Sequence, residues 1–423
     1  MPDIVILSGN HLCNNPRVLK EAGCLARAGF DVEVLGAWLD GRLKDRDQDL
    51  LEAAAFRFTP VVDLTGSALS TRARYALSRL RNKAGQFAYR FGRFQNRWQL
   101  GHVLRALSRE ARKRRADLFI AHSEPGLLVG RELLDSRRAV GVDLEDWFSE
   151  DLPPEARKGR PIRLLRDAEQ DLLRRGAHST CPSRAMSDAL AATYGCSPPA
   201  VVYNAFPWSD RSSIDGAVRD RVDPRPASIH WFSQTLGPGR GLEDLVTALP
   251  LMQNAAEIHL RGNLVSGFDR WLWDRVPPLW RARVVIHAPV PNGDLLSRIA
   301  EHDIGFAGEM QYCKSRNLTV TNKILQYLLG GLAVVASDTA GQREVAEQSR
   351  GAVSIYPPGD PAALAATLDA LLSSNEKLGN AKGQALRAAE QTFCWELQQN
   401  RLLESVARAA SRAGSPSVRA ARR

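Results

Sequence analysis

A glycine-rich loop in the second half of the chain has the residue types that bind a diphosphate. Gly237, Gly239 and Gly241 follow an apolar segment and precede a helical pattern, and Arg240 lies between the last two glycines. Glycine lets the backbone approach a ligand closely, a helix N-terminus offers free N–H donors, and arginine adds a fixed cation. An ordinary glycine-rich turn with a surface arginine would have the same sequence.

A second polar group lies at the start of a later predicted helix. Asn322, Lys323 and Gln326 are spaced to line one face of its first turn and a half. Gly330 and Gly331 then end the helix before an apolar strand. The polar residues could contact the same ligand, although ordinary punctuation between a helix and a strand also produces two glycines.

Polar residues also follow apolar segments in the first half of the chain. His122 comes directly after one predicted strand, and Glu145 and Asp146 come after the next. Asn15 and Arg17 lie at the start of the first helix, where they could hold a phosphate or an acceptor. A single histidine can also be a loop or capping residue, and two adjacent acids can equally cap a helix.

The elements that carry these residues alternate between strands and helices. Asp3–Leu7 is a predicted strand, Pro16–Ala28 a helix and Asp31–Leu35 the next strand, which makes one βαβ unit and implies a parallel sheet. The further predicted strands are Asp117–Ala121, Val140–Leu144, Ala177–Cys181, Ala200–Tyr203, Ser228–Ser233, Ile258–Leu260, Val284–Ile286, Ile304–Ala307, Leu332–Ala336 and Ala352–Tyr356.

This pattern predicts an α/β fold of two doubly wound, Rossmann-like domains facing a central cleft. Ligands of open α/β sheets bind at the carboxyl ends of the strands. We predict an N-terminal domain over 1–205, a linker over 206–227 and a C-terminal domain over 228–390. The tail, 413–423, is rich in Ser, Pro, Arg and Ala and is predicted to be disordered.

The positive charge of the chain is concentrated in one stretch. The 423 residues include 57 Lys and Arg against 47 Asp and Glu, a formal net charge of +10. Residues 70–115 contain fourteen basic residues and one acid, so the rest of the chain is slightly acidic. Apolar residues recur there at intervals of three and four, which places them on one helical face. They are Leu77, Leu80, Ala84, Phe87, Phe91, Phe94 and Trp98.

Three interpretations of this basic amphipathic stretch remain open. The rings of Phe87, Phe91, Phe94 and Trp98 could enter the headgroup boundary of an anionic membrane while the arginines meet lipid phosphates. The apolar stripe could instead pack on the core of the protein. Basic residues with interleaved aromatic residues also bind single-stranded nucleic acid, but no known nucleic-acid motif accompanies them.

The composition argues against several other classes of protein. The longest apolar runs, such as Leu328–Ala336, are about half as long as a membrane span. The N-terminus has no basic region followed by a long apolar run, so no signal peptide is expected. The six cysteines include no CxxC pair, which indicates neither a zinc site nor a disulfide framework and favours the cytoplasm.

Four segments, in this order, resemble the retaining GT-B-fold glycosyltransferases of family four, or glycosyl transferases group 1. His11–Ala22 resembles the first loop and helix of that family, and Gly237–Gly241 resembles its phosphate-binding turn. Asn322–Asp338 is similar to its Asn-Lys-x-x-Glu-Tyr segment and the strand that follows. Trp395-Glu396 resembles the start of the closing helix, which implies a helix over 391–412 that returns to the N-terminal domain.

The resemblance implies a nucleotide-sugar donor that is bound mainly by the C-terminal domain. Arg240 would contact the diphosphate and stabilise the leaving group. Gln326 stands where the family has a ribose-binding Glu, and an amide can still pair with two hydroxyls. The other acid of the family pair would lie near Leu318, which is apolar, and Glu309 is the nearest candidate for a related role.

The resemblance also implies roles for residues in the loops of both domains. His122 matches a histidine that the family places beside the donor sugar, and backbone groups of the loop from His287 to Val290 would flank the base. The candidate catalytic residues are His122, Arg240 and Glu309, and the acceptor-side residues are Asn15, Arg17, Glu145 and Asp146. The candidate donor-binding residues are Gly9, Asn10, Gln234, Gly237, Gly239, Arg240, Gly241, Arg261, Gly262, His287, Val290, Asn322, Lys323 and Gln326.

We therefore expect a cytoplasmic glycosyltransferase that acts at the inner face of a membrane. It would move a sugar from a nucleotide-sugar to a lipid-linked or cell-surface glycan acceptor, with retention of anomeric configuration. No metal or other cofactor is expected, and the partners would include an anionic membrane surface but not nucleic acid. The missing paired acids keep a second hypothesis open, a non-catalytic nucleotide-sugar-binding or scaffold protein of a polysaccharide assembly system.

Overall fold

Alternating apolar strands and amphipathic helices build two parallel sheets, as the repeating pattern predicts. The computed structural model describes residues 2–66, 69–92, 95–96, 99, 103–221 and 226–414. The chain divides into two units. Unit 1 contains the residues up to Val202 and those from Gln399 onward, and unit 2 contains Tyr203–Gln398.

Unit 1 is built on a seven-stranded parallel sheet with the order β3-β2-β1-β4-β5-β6-β7. The order reverses between β1 and β4, so loops that follow these two strands diverge and leave a crevice at the carboxyl edge. The strands are β1 (Asp3–Leu7), β2 (Asp31–Trp38), β3 (Arg57–Asp63), β4 (Leu118–Ala121), β5 (Val140–Asp143), β6 (His178–Cys181) and β7 (Ala200–Val201).

The helices of unit 1 connect these strands and cover the sheet. The core contains β1, β4 and β5, whose apolar side chains are almost completely buried. The helices are α1 (Pro16–Arg27), α2 (Gly41–Glu52), α3 (Leu69–Gly92), α4 (Leu104–Lys113), α5 (Ser123–Asp135), α6 (Pro154–Arg157), α7 (Ile162–Arg175) and α8 (Arg184–Tyr194).

The predicted strands of both halves form, but β3 and α2 were not predicted. β3 contains Pro60 and is a half-buried edge strand, so it lacks the strong apolar signal of a central strand. α2 is mostly polar and buries only Asp47 among its residues, so it shows little helical periodicity of apolar residues.

Unit 2 is built on a six-stranded sheet with the order β10-β9-β8-β11-β12-β13. Its order reverses between β8 and β11, which makes the second switch point. The strands are β8 (Ser228–Leu236), β9 (Glu257–Leu264), β10 (Val284–His287), β11 (Ile304–Ala307), β12 (Ala333–Ser337) and β13 (Val353–Tyr356). The helices are α9 (Leu242–Ala248), α10 (Phe268–Arg275), α11 (Asn292–Ala300), α12 (Lys314–Leu318), α13 (Asn322–Gly330), α14 (Ala340–Gln348), α15 (Pro361–Leu372) and α16 (Asn375–Gln391).

The closing helix α17 (Trp395–Gly414) follows α16 after a short break. Its residues from Gln399 onward belong to unit 1, where Ser405 Oγ lies 2.8 Å from His178 Nδ1. The helix includes residues 413 and 414, at the start of the predicted disordered tail. Residues 415–423 of that tail lie outside the described residues.

The segment predicted as a linker packs closely within unit 2. It contains a short 3-10 helix over Trp208–Ser213. Further along, Asp215 forms an ion pair of 2.6 Å with Arg298 of α11, and Arg221 forms an ion pair of 2.9 Å with Asp303. Residues 214–221 are therefore irregular in backbone but fixed to the body of unit 2.

The apolar stripe of the basic helix does not pack on the protein core. On α3, Leu80, Phe87 and Phe91 are 64%, 63% and 70% exposed, so packing on the core is the wrong interpretation for these side chains. The helix ends at Gly92, and Gln95 is not helical, so it is shorter than predicted. Phe94 and Trp98 lie outside the described residues.

The described part of the chain contains seventeen α-helices. None of the helices in that part has the length and apolar character needed to cross a bilayer.

Candidate functional site

The glycine-rich loop of unit 2 lies at the switch point of its sheet. It follows β8 and lies against the loop that follows β11. The approach is so close that a Cβ on Gly241 would lie only 2.7 Å from the backbone of Gly308. Gly241 also has φ +79°, in the left-handed region that favours glycine. Only glycine can therefore hold the two loops this close.

Arg240 is exposed on the outer side of this loop. Its Nη1 donates to Ser233 Oγ at 3.1 Å, and it makes no ion pair among the described residues. Gly239 N–H donates to Glu243 Oε1 at 2.7 Å, which fixes the loop from below. Gln234 is exposed in the irregular last part of β8 and accepts through its carbonyl from Asn263. The arrangement leaves a guanidinium at the carboxyl edge of the sheet.

Glu309 and Lys323 meet beside this loop. Glu309 follows Gly308, and its Oε1 lies 3.0 Å from Nζ of Lys323 at the start of α13. Ser337 Oγ accepts from the backbone N–H of Glu309 at 2.7 Å, so the ends of β11, β12 and α13 converge here. The structure thus brings the Gly237–Gly241 loop, Glu309 and Lys323 into one continuous group.

The first turn of α13 faces the same edge. Asn322 is exposed and its Oδ1 accepts from Asn204 at 3.0 Å, while Gln326 is half-buried one turn later. Thr321 caps the helix without a side-chain hydrogen bond to it. Leu318, at the position of the missing acid, is 8% exposed and belongs to α12.

A third group lies at the carboxyl ends of β9 and β10. Arg261 is buried, donates through Nη1 to the carbonyl of Ala288 at 2.6 Å, and forms a close ion pair with Asp220. His287 Nδ1 lies 3.5 Å from the same Asp220 carboxylate. Gly262 is buried against β8, and Val290 is half-buried in the loop after β10.

Four of the eight histidines of the chain gather around this third group. His259 Nδ1 lies 2.9 Å from His287 Nε2, and the rings of His230 and His302 stack with centroids 4.4 Å apart. Burial lowers the pKa of all four, and that of His302 falls to about 4. The cluster is therefore neutral at pH 7.

In unit 1, the loop after β1 and the start of α5 lie at the carboxyl edge of the sheet, at its switch point. Gly9 has φ +64° and its N–H donates to the carbonyl of Leu35 at 2.9 Å, and Asn10 beside it is half-buried. Ser123, directly after His122, is a non-glycine residue with φ 59°, and its Oγ donates to the carbonyl of Ser8. Such strained residues cluster at functional sites.

His122 is completely buried at the end of β4. Its Nε2 lies 2.6 Å from Oε2 of Glu21 on α1, and its Nδ1 has no hydrogen-bond partner among the described residues. Burial alone would lower the pKa of His122, but the charge of Glu21 more than offsets this and raises it. Glu21, an acid that the sequence did not single out, thus favours the protonated form of His122.

The acceptor-side residues of unit 1 divide between this buried network and its rim. Arg17 is buried and donates to Asp143 at 2.7 Å and to the carbonyl of Val202 at 2.7 Å. Asn15 caps α1 through Val18 N–H and donates to Glu145 Oε1 at 3.2 Å, and burial raises the pKa of Glu145. Asp146 is half-buried beside them.

Sequence reasoning missed three acids that position these groups. Glu21 follows Arg17 by four residues on α1, a spacing that places both on one helix face and could have revealed it. Asp143 is a charged residue in an otherwise apolar strand, which is a weaker signal of the same kind. Asp220 lies in an aperiodic segment and gives no signal in the sequence.

Two groups in unit 1 have three side chains of metal-ligating type close together. In the first, His11 Nε2 accepts from the backbone N–H of Leu39 at 2.7 Å, so Nδ1 carries the proton and donates to Asp47. In the second, which comprises Glu21, His122 and Asp143, both oxygens of Asp143 are engaged by Arg17 and Thr180. Internal hydrogen bonds therefore engage part of both groups, while in the second group Glu21 Oε1 and His122 Nδ1 have no hydrogen-bond partner among the described residues.

Comparison with solved structures gives matches over nearly the whole chain. HepE from Anabaena, solved in complex with UDP, has a TM-score of 0.67 at 18% identity and covers 96% of this chain and 100% of its own. Sucrose-phosphate synthase from Thermosynechococcus elongatus has a TM-score of 0.66 at 12% identity and covers 97% of this chain and 100% of its own. The UDP-forming α,α-trehalose-phosphate synthase from Burkholderia xenovorans has a TM-score of 0.66 at 13% identity, with coverage of 97% and 100%.

Comparison with protein families matches both halves of the chain. Residues 17–207 match the model described as Glycosyltransferase Family 4, and residues 229–374 match the model described as Glycosyl transferases group 1. No curated protein of known function matches the sequence. The matches follow the chain order that the motifs predict, and the two parallel sheets are those of the solved structures. The chain belongs to the family-four, group 1 glycosyltransferases and has the GT-B fold.

Proposed function

We propose that the chain transfers a sugar from a UDP-sugar to a lipid-linked or cell-surface glycan acceptor, with retention of anomeric configuration. The observation that carries the proposal is the glycine loop at the switch point of unit 2, with Arg240 exposed at its tip. HepE has been solved with UDP and with UDP-glucose, which supports the choice of nucleotide. The nature of the acceptor and the retention are inferred from the family resemblance.

In this proposal the diphosphate binds at the Gly237–Gly241 loop. Arg240 supplies the cation that the leaving UDP requires as the glycosidic bond breaks, and backbone N–H groups of the loop and of α13 add donors. Lys323, whose Nζ is 3.0 Å from Glu309, would add an ammonium donor beside the phosphates while its charge is partly balanced by that acid. A divalent cation is then not needed to balance the charge of the leaving group, so we propose a metal-independent reaction.

The ribose and base would extend from the loop toward β10. Gln326, half-buried on α13, is placed to pair with the ribose hydroxyls. The loop from His287 to Val290 offers backbone groups to the base. Neighbouring strands are about 4.8 Å apart, so β10 lies roughly 10 Å from β8, a distance that suits a nucleotide lying along this edge.

Replacing Arg240 by Ala tests this function. The variant loses one charge-assisted contact, worth about 1.5–3 kcal/mol, so transfer from the UDP-sugar should fall roughly tenfold to a hundredfold. The matched control is Arg270→Ala, an exposed arginine of unit 2 on α10. Unchanged transfer in Arg240→Ala, measured as kcat/KM against a panel of UDP-sugars, would refute the proposed donor site.

A non-catalytic nucleotide-sugar-binding or scaffold role is the second candidate. Leu318 is apolar and buried where the family has an acid, and Gln326 replaces the other acid of the pair. Calorimetry against the same panel, followed by a hydrolysis and transfer assay, separates the two functions. Binding of a UDP-sugar without any turnover would favour this second role.

We also propose that α3 binds an anionic membrane surface beside the acceptor. The helix carries no acidic residue and exposes Leu80, Phe87 and Phe91 together with Arg81 and Lys83. Exposed rings among cations match the boundary between lipid headgroups and acyl chains. This contact would place the protein at the inner membrane face without a spanning helix, and it would leave nucleic acid without a role.

A further inference from the structure

Arg261 links the connecting segment of unit 2 to the loop after β10. One end of its guanidinium donates to the carbonyl of Ala288 at 2.6 Å, and the other end forms a close ion pair with Asp220. Arg261 is 4% exposed, so solvent cannot replace either partner. The orientation of the Ala288 carbonyl therefore depends on where the Arg261 side chain is held.

Asp220 in turn is held from several sides. Its backbone N–H donates to Glu301 Oε2 at 2.7 Å, and its two carboxylate oxygens lie 3.5 Å from His287 Nδ1 and 3.6 Å from His302 Nε2. Favourable interactions with His302, Arg261 and His287 outweigh the effect of burial and lower the pKa of Asp220, which keeps it ionised. Asp220 is thus an ionised carboxylate in a fixed position.

We propose that Asp220 is a positioning residue for nucleobase binding. It orients Arg261, and Arg261 orients the carbonyl of Ala288 in the loop that meets the base. This inference rests on the proposed function, because that loop is assigned to the base there. The ligand is a nucleoside diphosphate. Binding of its base depends on Asp220, and binding of its diphosphate does not.

The effect should be confined to the loop, because other contacts hold the connecting segment. Asp215 pairs with Arg298 at 2.6 Å, and Arg221 pairs with Asp303 at 2.9 Å, on either side of Asp220. Loss of the Asp220 charge therefore leaves the segment attached to unit 2. It leaves Arg261 buried without its anion, which favours a new side-chain position and releases the Ala288 carbonyl.

Calorimetry on the full-length chain with UDP, GDP and inorganic pyrophosphate tests the proposal. Asp220→Asn should weaken the tighter nucleoside diphosphate at least tenfold and leave pyrophosphate within twofold. Arg261→Lys should do the same, because an ammonium cannot span both partners. In transfer assays both variants should raise KM for the donor with little change in kcat. Asp215→Asn, which removes a neighbouring ion pair away from the loop, is the matched control.

Each outcome is decisive for one of the two proposals. If the wild type binds UDP or GDP and the Asp220 and Arg261 variants bind it equally well, the positioning role is refuted alone. Equal losses for nucleotide and pyrophosphate would also refute it, because they indicate general damage to unit 2. A wild type that binds none of these ligands and transfers no sugar would refute the proposed function, and the positioning role with it.

Discussion

At the scale of single residues, the absence of a side chain at Gly241 allows the two loops of the candidate donor site to lie close together. Its backbone has φ +79°, and a Cβ would lie 2.7 Å from the Gly308 backbone. The two loops that meet here follow β8 and β11, the strands on either side of the switch point. A side chain at this position would push the Gly237–Gly241 loop away from Glu309 and Lys323, so we expect a cost in activity as well as in stability.

Gly241→Ala should cost more than the backbone strain alone. Gly267 has almost the same φ, +80°, but nothing lies within 4 Å of its Cβ position, so Gly267→Ala reports the strain by itself. We expect about 1 kcal/mol for Gly267→Ala and about 2–4 kcal/mol for Gly241→Ala, measured by urea denaturation. Equal costs for the two variants would show that the contact with Gly308 is not tight.

Glu21 is the second residue whose removal should have a specific signature. Because Glu21 raises the pKa of His122 above its unfolded value, their interaction is complete below about pH 6.5 and is lost as the pH rises through the folded pKa. Glu21→Gln should therefore cost about 1–3 kcal/mol at pH 6 and less at pH 9, by chemical denaturation.

Glu33→Gln provides the control for this pH dependence. Glu33 pairs with Arg114 at 2.9 Å in the same unit, and arginine stays charged across this range. Its cost should be the same at pH 6 and pH 9. If Glu21→Gln also costs the same at both values, His122 does not carry the charge that the buried pair implies.

The sequence could identify those site residues that stand next to a predicted strand or helix along the chain. The 237–241 loop, His122 and Glu145 each follow a strand directly, so a correct strand prediction puts them at a sheet edge. Glu21, Asp143 and Asp220 act through contacts with elements far along the chain, as in the pairing of Glu21 with a histidine 101 residues away. A local pattern can mark such a residue, as the four-residue spacing from Arg17 marks Glu21, but it does not encode the distant partner.

At the scale of elements, α3 departs most from what an amphipathic pattern usually means. Its stripe has the spacing of a core-facing helix, yet Phe87 and Phe91 are exposed and their rings lie 4.3 Å apart. By contrast, α4 buries Leu104, Leu107 and Ala111, and Arg114 after it pairs with Glu33. Periodicity identified the stripe of α3 but not α4, and only the tertiary structure distinguishes a stripe that packs from one that does not.

The exposed stripe predicts a lipid-dependent interaction of α3. Phe87→Glu with Phe91→Glu should abolish co-flotation of the protein with vesicles that contain anionic lipid, because it removes the apolar anchor and adds negative charge. Leu279→Glu, at a residue of unit 2 that is 90% exposed, is the control and should float normally. Flotation that survives the double substitution would exclude α3 as the anchor.

Strands with strong apolar signals were predicted within one or a few residues, but among the helices even the amphipathic α7 was not predicted. β1 and β11 have the predicted bounds, since both are short, buried and bounded by turn residues. β8 and β9 continue beyond their predicted ends, where the exposed polar residues Gln234 and Asn263 interrupt the apolar pattern. α2 and β3 were missed because tertiary packing, and not local pattern, stabilises them.

At the scale of the whole molecule, the two units differ in the kind of titratable group that they concentrate and in how deeply those groups are buried. The excess of basic residues lies in 70–115 of unit 1, and unit 2 gathers four histidines in its interior. The pKa values of buried histidines shift both ways in unit 1 and only downward in the cluster of unit 2. In unit 1 those of His122, Glu145 and Glu169 are raised, although that of His178 is lowered, whereas in unit 2 those of all four clustered histidines are lowered.

The four lowered histidine pKa values of unit 2 predict that mild acid destabilises unit 2 more than unit 1. A histidine with a lowered folded pKa binds its proton more readily in the unfolded chain, so stability falls as the pH drops from about 6.5 toward the folded value. For His302, with a folded pKa of about 4, the loss should reach roughly 2 kcal/mol by pH 5. The raised groups of unit 1 act with the opposite sign, because their folded forms bind the proton more tightly.

Scanning calorimetry at pH 7.5, 6 and 5 measures the difference, since a two-unit chain can unfold in separable steps. One transition should move to lower temperature much faster than the other as the pH falls, and His302→Gln should flatten the pH dependence of that transition alone. His178→Gln, which removes a buried histidine of unit 1, should act on the other transition. If both transitions shift together in the wild type and in His302→Gln, the histidine cluster does not determine the acid stability of unit 2.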